Sequence, residues 1–110
     1  MDLALFPLNT VLFPGGKLPL RIFETRYVDM IGDCMRNARP FGVVPISSGS
    51  EVGSGANFFP HGTCANIEDF DQGEDGLLHV VAAGGQRFKV SNYETAEDGL
   101  LNATVELLDD

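Results

Sequence analysis

Three prolines inside an apolar run limit what the start of this chain can become. From Leu5 to Tyr27 apolar residues dominate, yet Pro7, Pro14 and Pro19 interrupt them. Proline fixes φ and lacks an N–H, so no helix can run through the stretch. Each residue before a proline is also driven toward extended geometry. A chain this apolar and this extended has to be buried, as strand segments joined by tight turns. Pro14-Gly15-Gly16 supplies one turn, because proline presets one φ and glycine permits a positive one. Leu18 to Phe23 is the next extended run, with Pro19 tolerable near a strand start or on an edge.

A helix is expected after Phe23, capped by Thr25 or Glu24 and running to Ala38. Tyr27, Met30, Ile31, Cys34 and Met35 recur at i, i+3, i+4, i+7 and i+8, which is one helical face. Gly32 weakens the helix by about 1 kcal/mol relative to alanine, less than burial of that face returns. Arg39-Pro40 ends it. Phe41 to Ile46 is a strand candidate in which Pro45 marks a bulge or an edge. Ser47 to Gly62 then forms a connection longer than the usual ~12–15 residues, holding Phe58-Phe59-Pro60.

Thr63 to Glu68 alternates, with Thr63, Ala65 and Ile67 on one side. Asp69 to Gly76 is expected as an acidic turn, and Leu77 to Ala83 as a central strand. Gly84-Gly85 is expected to form or start a turn. Gln86 to Val90 alternates again, with Phe88 inward and Arg87 and Lys89 outward. Asn92 to Gly99 reads as a polar connection, and Leu100 to Leu108 as the last strand, with Leu101, Ala103, Val105 and Leu107 on one face. Six or seven short strands with one main helix make a mainly β, α+β chain. A flat sheet of this size would leave costly free edges, so a small barrel with the helix plugging one end is the natural architecture.

The opening stretch also carries a family likeness. Leu5-x-Pro7-Leu8, Val11 to Gly15, and Leu18-Pro19-Leu20-x-Ile22-Phe23-Glu24-x-Arg26-Tyr27 resemble the start of the Lon protease N-terminal (substrate-binding) domain family, above all its stand-alone members lacking the ATPase and protease. Many of those have proline where this chain has Thr25. Gly62-Thr63-x-Ala65-x-Ile67 and Gly84-Gly85-x-Arg87-Phe88 extend the match, so that it covers nearly the whole chain. The resemblance implies a PUA-like pseudobarrel of about six strands over residues 1–110. Family members usually continue into a helical region after the last strand. Because this sequence ends at Asp109-Asp110, a fragment lacking that region is expected.

Composition narrows the partners. A length of 110 residues fits one domain. Eight Phe and no Trp point to a core of Phe, Leu and Val. The formal net charge is −9, with 16 acidic against 7 basic residues. That opposes nucleic-acid binding, which needs a basic face, and binding to anionic membranes. No basic leader precedes an apolar run, because Asp2 stands where one would begin. No apolar run approaches the ~18 residues a spanning helix needs. A cytoplasmic setting with Cys34 and Cys64 as free thiols is the expectation. The sequon Asn102-Ala103-Thr104 therefore carries no meaning.

Catalytic patterns are missing. No phosphate-binding loop, dinucleotide fingerprint or nucleophile elbow fits the glycines. Cys34, His61, Cys64 and His79 are the potential soft metal ligands, and only His61-x-x-Cys64 forms a close pair. Buried thiols and ordinary histidines are the simpler account. Asp69 to Glu74 hints at a calcium loop but has Gly73 at the fifth position and Val80 at the twelfth. The expectation is a chain that is not an enzyme and takes no cofactor or metal.

Arg21 and Arg26 are expected to pair with Glu24 where strand gives way to helix, or else the helix start presents polar groups to a bound chain. Phe58 and Phe59 either pack over the barrel or stand exposed as apolar anchors. The resemblance implies a polypeptide-binding module for unfolded or damaged proteins, with Glu24, Arg26, Phe58 and Phe59 as candidate contacts. The alternative is a structural oligomerisation domain, such as a weak homodimer, or a partner-docking domain with no substrate of its own.

Overall fold

The computed structural model describes residues 1–48 and 57–109. Seven strands and one helix follow in the order β1 (Asp2–Leu8), β2 (Lys17–Ile22), α1 (Thr25–Asn37), β3 (Phe41–Ser48), β4 (Asn57–Phe58), β5 (His61–Gln72), β6 (Leu78–Thr95) and β7 (Leu101–Leu107). Neighbouring strands run β1-β7-β6-β5-β3, and β3 returns to pair with β1, which closes the ring. All of these pairs are antiparallel except β1–β3, which is parallel with Phe6 opposite Val43. Closure removes the edges that an open sheet would expose. The expected mainly β pseudobarrel with one main helix is therefore what forms, and its seven strands among the described residues fall within the expected six or seven.

β1 and the first half of β3 are buried on both faces, which explains their nearly continuous apolar runs, whereas β5 is buried only at Thr63, Cys64 and Ala65. Phe6 and Leu8 enter one core cluster, while Leu3 and Leu5 enter another. In β5 the same split separates Ala65 from Cys64. The first cluster lies under α1, which contributes Tyr27, Met30, Ile31 and Cys34. Tyr27 stacks on Phe6 with ring centroids 4.1 Å apart. The second cluster surrounds Phe88, which has no solvent exposure. Met35, expected on the buried helix face, is exposed, and so is Leu107 at the end of β7. Both sit where their element runs past the core. Glu24 occupies the N-cap without a side-chain cap bond, and Ala38 ends the helix in the left-handed region at φ 50°.

Two expected turns and one expected connection are wholly or partly strand instead. β5 continues through Asp69–Gln72, so the acidic turn shrinks to residues 73–77, where Gly73 N–H donates to the Leu77 carbonyl at 2.9 Å. Strand β6 likewise continues to Thr95, and the polar connection shrinks to a turn closed by Gly99 N–H donating to the Ala96 carbonyl at 2.9 Å. Gly84-Gly85 is not a turn but the midpoint of β6. Along Leu78–Ala83 that strand has β2 beside it, and along Phe88–Thr95 it has β7. Between these partners the Pro14–Gly16 turn seats against Gly84, whose N–H donates to the Gly16 carbonyl and whose carbonyl accepts from Gly15, both at 2.9 Å. A Cβ on Gly84 would overlap the Phe13 carbonyl oxygen. Glycine is needed here for close approach rather than for chain reversal.

The long connection expected from Ser47 to Gly62 is shortened at both ends. β3 extends to Ser48, and β4 returns beside it with Phe58 opposite Ile46 and a register shift between Ile46 and Ser48. Residues 49–56 lie outside the described residues.

Candidate functional site

Val11-Leu12-Phe13 follows β1 and alternates like a strand without joining one. Leu12 turns inward and is buried, while Val11 and Phe13 are 54% and 68% exposed. The segment is held from below. Thr63, the one buried polar side chain among the described residues, donates its hydroxyl to the Leu12 carbonyl at 2.7 Å. Gly16 N–H donates to the Phe13 carbonyl at 2.8 Å, and Gly15 takes φ +80° in that turn. The exposed side chains thus stand on a fixed backbone.

Facing them is the chain at Phe59. Its N–H donates to the Pro45 carbonyl at 2.9 Å, and Val90 N–H donates to the Pro60 carbonyl at 2.7 Å. Between the two segments lies a cleft of about 260 Å³, walled by Val11, Phe13, Pro14, Pro45 and Phe59, with His61 and Arg87 on one side. Phe59 is 54% exposed. Phe58 points the other way, half-buried against the Phe88 cluster and edge-on to Tyr93 at 5.1 Å. The two expectations for the aromatic pair therefore divide between its members: Phe58 packs down and Phe59 faces solvent.

The polar candidates lie elsewhere. Arg26 Nη2 is 3.2 Å from Glu24 Oε1, and Arg26 Nη1 donates to the Gly99 carbonyl at 2.9 Å. The guanidinium also sits 4.7 Å from the centroid of the Tyr27 ring. The Arg26 side chain is only 11% exposed, so this group ties α1 to the turn before β7. Arg21 does not join it. Arg21 faces Asp75 at 3.3 Å, because strand alternation turns it toward the β5–β6 turn and away from Glu24. A second cleft, of about 290 Å³, runs along β2 between Phe23, Glu24 and Leu18, and shares Thr10 with the first.

The potential metal ligands do not converge. Cys34 and Cys64 are free, buried in different core clusters, and burial pushes both thiols above their ordinary pKa. A thiol held protonated is a poor nucleophile and a poor ligand. His79 lies 3.2 Å from Asp75, while His61 is exposed beside the first cleft. Among the described residues no group of three or more His, Cys, Asp or Glu is placed to hold a metal ion. No helix there is long and apolar enough to cross a membrane.

Comparison with known proteins gives this arrangement its family. The model of the ATP-dependent protease La (LON) substrate-binding domain matches residues 2–110. The chain belongs to the LON substrate-binding domain family. A Lon N-terminal domain protein from Xanthomonas campestris has the same fold at a TM-score of 0.87, with 38% identity over 99% of this chain and 60% of that one. The N-terminal domain of a Mycobacterium avium complex Lon protease reaches 0.74 at 15% identity, a likeness of fold alone. Among sequences, Danio rerio cereblon is 36% identical over 104 residues, which is 89% of this chain and 23% of cereblon. The Lon protease of Anaeromyxobacter dehalogenans is 35% identical over 111 residues, 98% of this chain and 13% of that protease. The LON-family chain thus spans less than a quarter of the length of these two relatives.

Sequence reasoning found Phe59 but missed Val11, Phe13, His61 and Arg87 as its neighbours. The signal for the first two was present. Their outward alternation about Leu12, just before a Pro-Gly-Gly turn, marks a segment that cannot bury both sides.

Proposed function

We propose that this domain is a non-catalytic polypeptide-binding module that holds exposed apolar segments of unfolded or damaged proteins in the cleft between Val11, Phe13 and Phe59. One observation carries the reading: three large apolar side chains stand in solvent on rigidly hydrogen-bonded backbone around one cleft. Rigid exposed aromatics lose little entropy on binding, which is what an anchoring site needs. Family membership supports the same role. Raised thiol pKa values and separated histidines favour a binding role over a catalytic one.

Phe58 serves as the platform that fixes Phe59, and Glu24 with Arg26 as the joint that fixes α1. Replacing Val11, Phe13 and Phe59 by Ser tests the reading. Binding to a permanently unfolded test protein, followed by fluorescence anisotropy, should weaken at least ~10-fold. The urea midpoint should stay near wild type, since exposed substitutions usually change stability by less than ~0.5 kcal/mol. Unchanged binding would remove this cleft from the site and favour the oligomerisation or docking alternative.

A further inference from the structure

The basic residues of this acidic chain are not equally occupied. Lys17 pairs with Glu68, Arg21 with Asp75, Arg26 with Glu24 and Arg39 with Asp33. Arg36 lies close enough to Asp33 to lower that carboxyl's pKa. Arg87 and Lys89 remain, and among the described residues neither makes an ion pair. Arg87 lines the Phe59 cleft. Lys89 sits two residues along β6 on the same face, opposite His61 on β5. Glu106 stands beside Lys89 on β7 without bonding to it. An apolar cleft in a chain of net charge −9 thus has Arg87 on its wall and Lys89 just beyond it on the same strand, neither in an ion pair among the described residues.

We infer that this cleft prefers extended protein segments in which a bulky apolar residue is flanked by Asp or Glu, with Arg87 and Lys89 receiving the carboxylates. The inference rests on the apolar-cleft reading above and adds a charge preference to it. The chain as a whole carries a formal net charge of −9 and repels such segments. The wall at Arg87 and Lys89 would therefore select where on the domain they dock, and in which direction. Guanidinium and ammonium groups at a rim act mainly through encounter and orientation, so the preference should fade with salt.

The test uses three ten-residue fluorescent peptides with one shared Phe-Leu centre and flanks of Asp/Glu, Ser/Gln or Lys/Arg. Amidated ends remove the terminal carboxylate as a rival anion. At low salt the acidic-flanked peptide should bind the wild-type chain about 10-fold more tightly than the basic-flanked one, and this gap should close at about 0.5 M salt. The double variant R87E/K89E should reverse the order. If it folds poorly, R87Q/K89Q should abolish the preference and keep binding to the Ser/Gln peptide. Equal binding of all three peptides to wild type, or an unchanged order in the charge variants, would overturn the inference. Loss of binding to all three peptides only when Phe13 and Phe59 are changed to Ser would leave the apolar-cleft reading standing. Failure of every peptide to bind would overturn both.

Discussion

The helix start and the Phe59 cleft use the same chemistry to opposite ends. Each has an arginine near an aromatic side chain, buried Tyr27 at the helix start and exposed Phe59 at the cleft. At the helix start Arg26 is spent internally, on Glu24, the Gly99 carbonyl and the Tyr27 ring. At the cleft Arg87 lines an apolar wall and pairs with no carboxylate among the described residues. A guanidinium with its partners supplied by the fold stabilises the fold. One left in solvent contributes little to stability and stays available to another molecule.

The contrast breaks most severely at Gly84, on which the cleft segment is seated. Gly84→Ala should push the Pro14–Gly16 turn off β6 and cost on the order of 3 kcal/mol, read as a lowered urea midpoint. A midpoint near wild type would mean that the turn is not clamped there. Next in size, Arg26→Ala should cost about 2 kcal/mol, because it leaves the Gly99 carbonyl and Glu24 without their donor in a mostly covered site. Arg87→Ala should stay within about 0.5 kcal/mol. Equal costs in parallel denaturation curves would erase the distinction between the two regions.

A smaller effect should appear on raising the pH. Tyr27 has its pKa raised, chiefly by burial, with Arg26 pulling it back down. Burial likewise raises Cys34 and Cys64. In each case the folded state holds its proton more tightly than the unfolded chain. The stabilisation is complete below the unfolded values, about 8.5 for Cys and about 10 for Tyr. It is lost as pH rises through the folded values. Denaturation midpoints should fall between pH 8 and pH 11, and Tyr27→Phe should blunt the fall. A flat profile would contradict the burial of these groups.

The smallest effect lies at acid pH. Arg39 hydrogen-bonds Asp33 and lowers its pKa, and the Leu77 N–H does the same for Asp75, helped by His79. Their contribution is present above the unfolded value of about 3.9 and lost as pH falls through the lowered folded values. Both carboxylates are in solvent, so Asp33→Asn and Asp75→Asn should shift the neutral-pH midpoint only slightly. Each variant should merge with wild type near pH 2. A large shift at neutral pH would mean that these pairs are shielded from water.

Much of the fold was legible in local pattern. Prolines at 7, 14 and 19 excluded a helix, the i, i+3, i+4 spacing located α1, and alternation around Phe88 set its inward side. What misled was glycine and acid content. Gly84-Gly85 and Asp69–Gln72 look like turns, yet both lie within strands. The first exists for a contact with residues far away in sequence, and the second is held by pairing to β6.

The candidate site was only half visible. Phe59 stood out as an aromatic in a polar connection, but nothing local could distinguish it from Phe58. Strand alternation at β4 and contact with Tyr93 separate them. By itself the sequence determined where the chain must be extended, where it must coil into a helix, and which side chains water expels, because each depends on backbone and side-chain chemistry within a few residues. Closure of the barrel, the seating of Pro14–Gly16 on Gly84, and the meeting of Val11, Phe13, Phe59 and Arg87 were decided only in three dimensions. Those contacts join residues tens of positions apart, and strand pairing across such distances leaves no periodic trace in the chain.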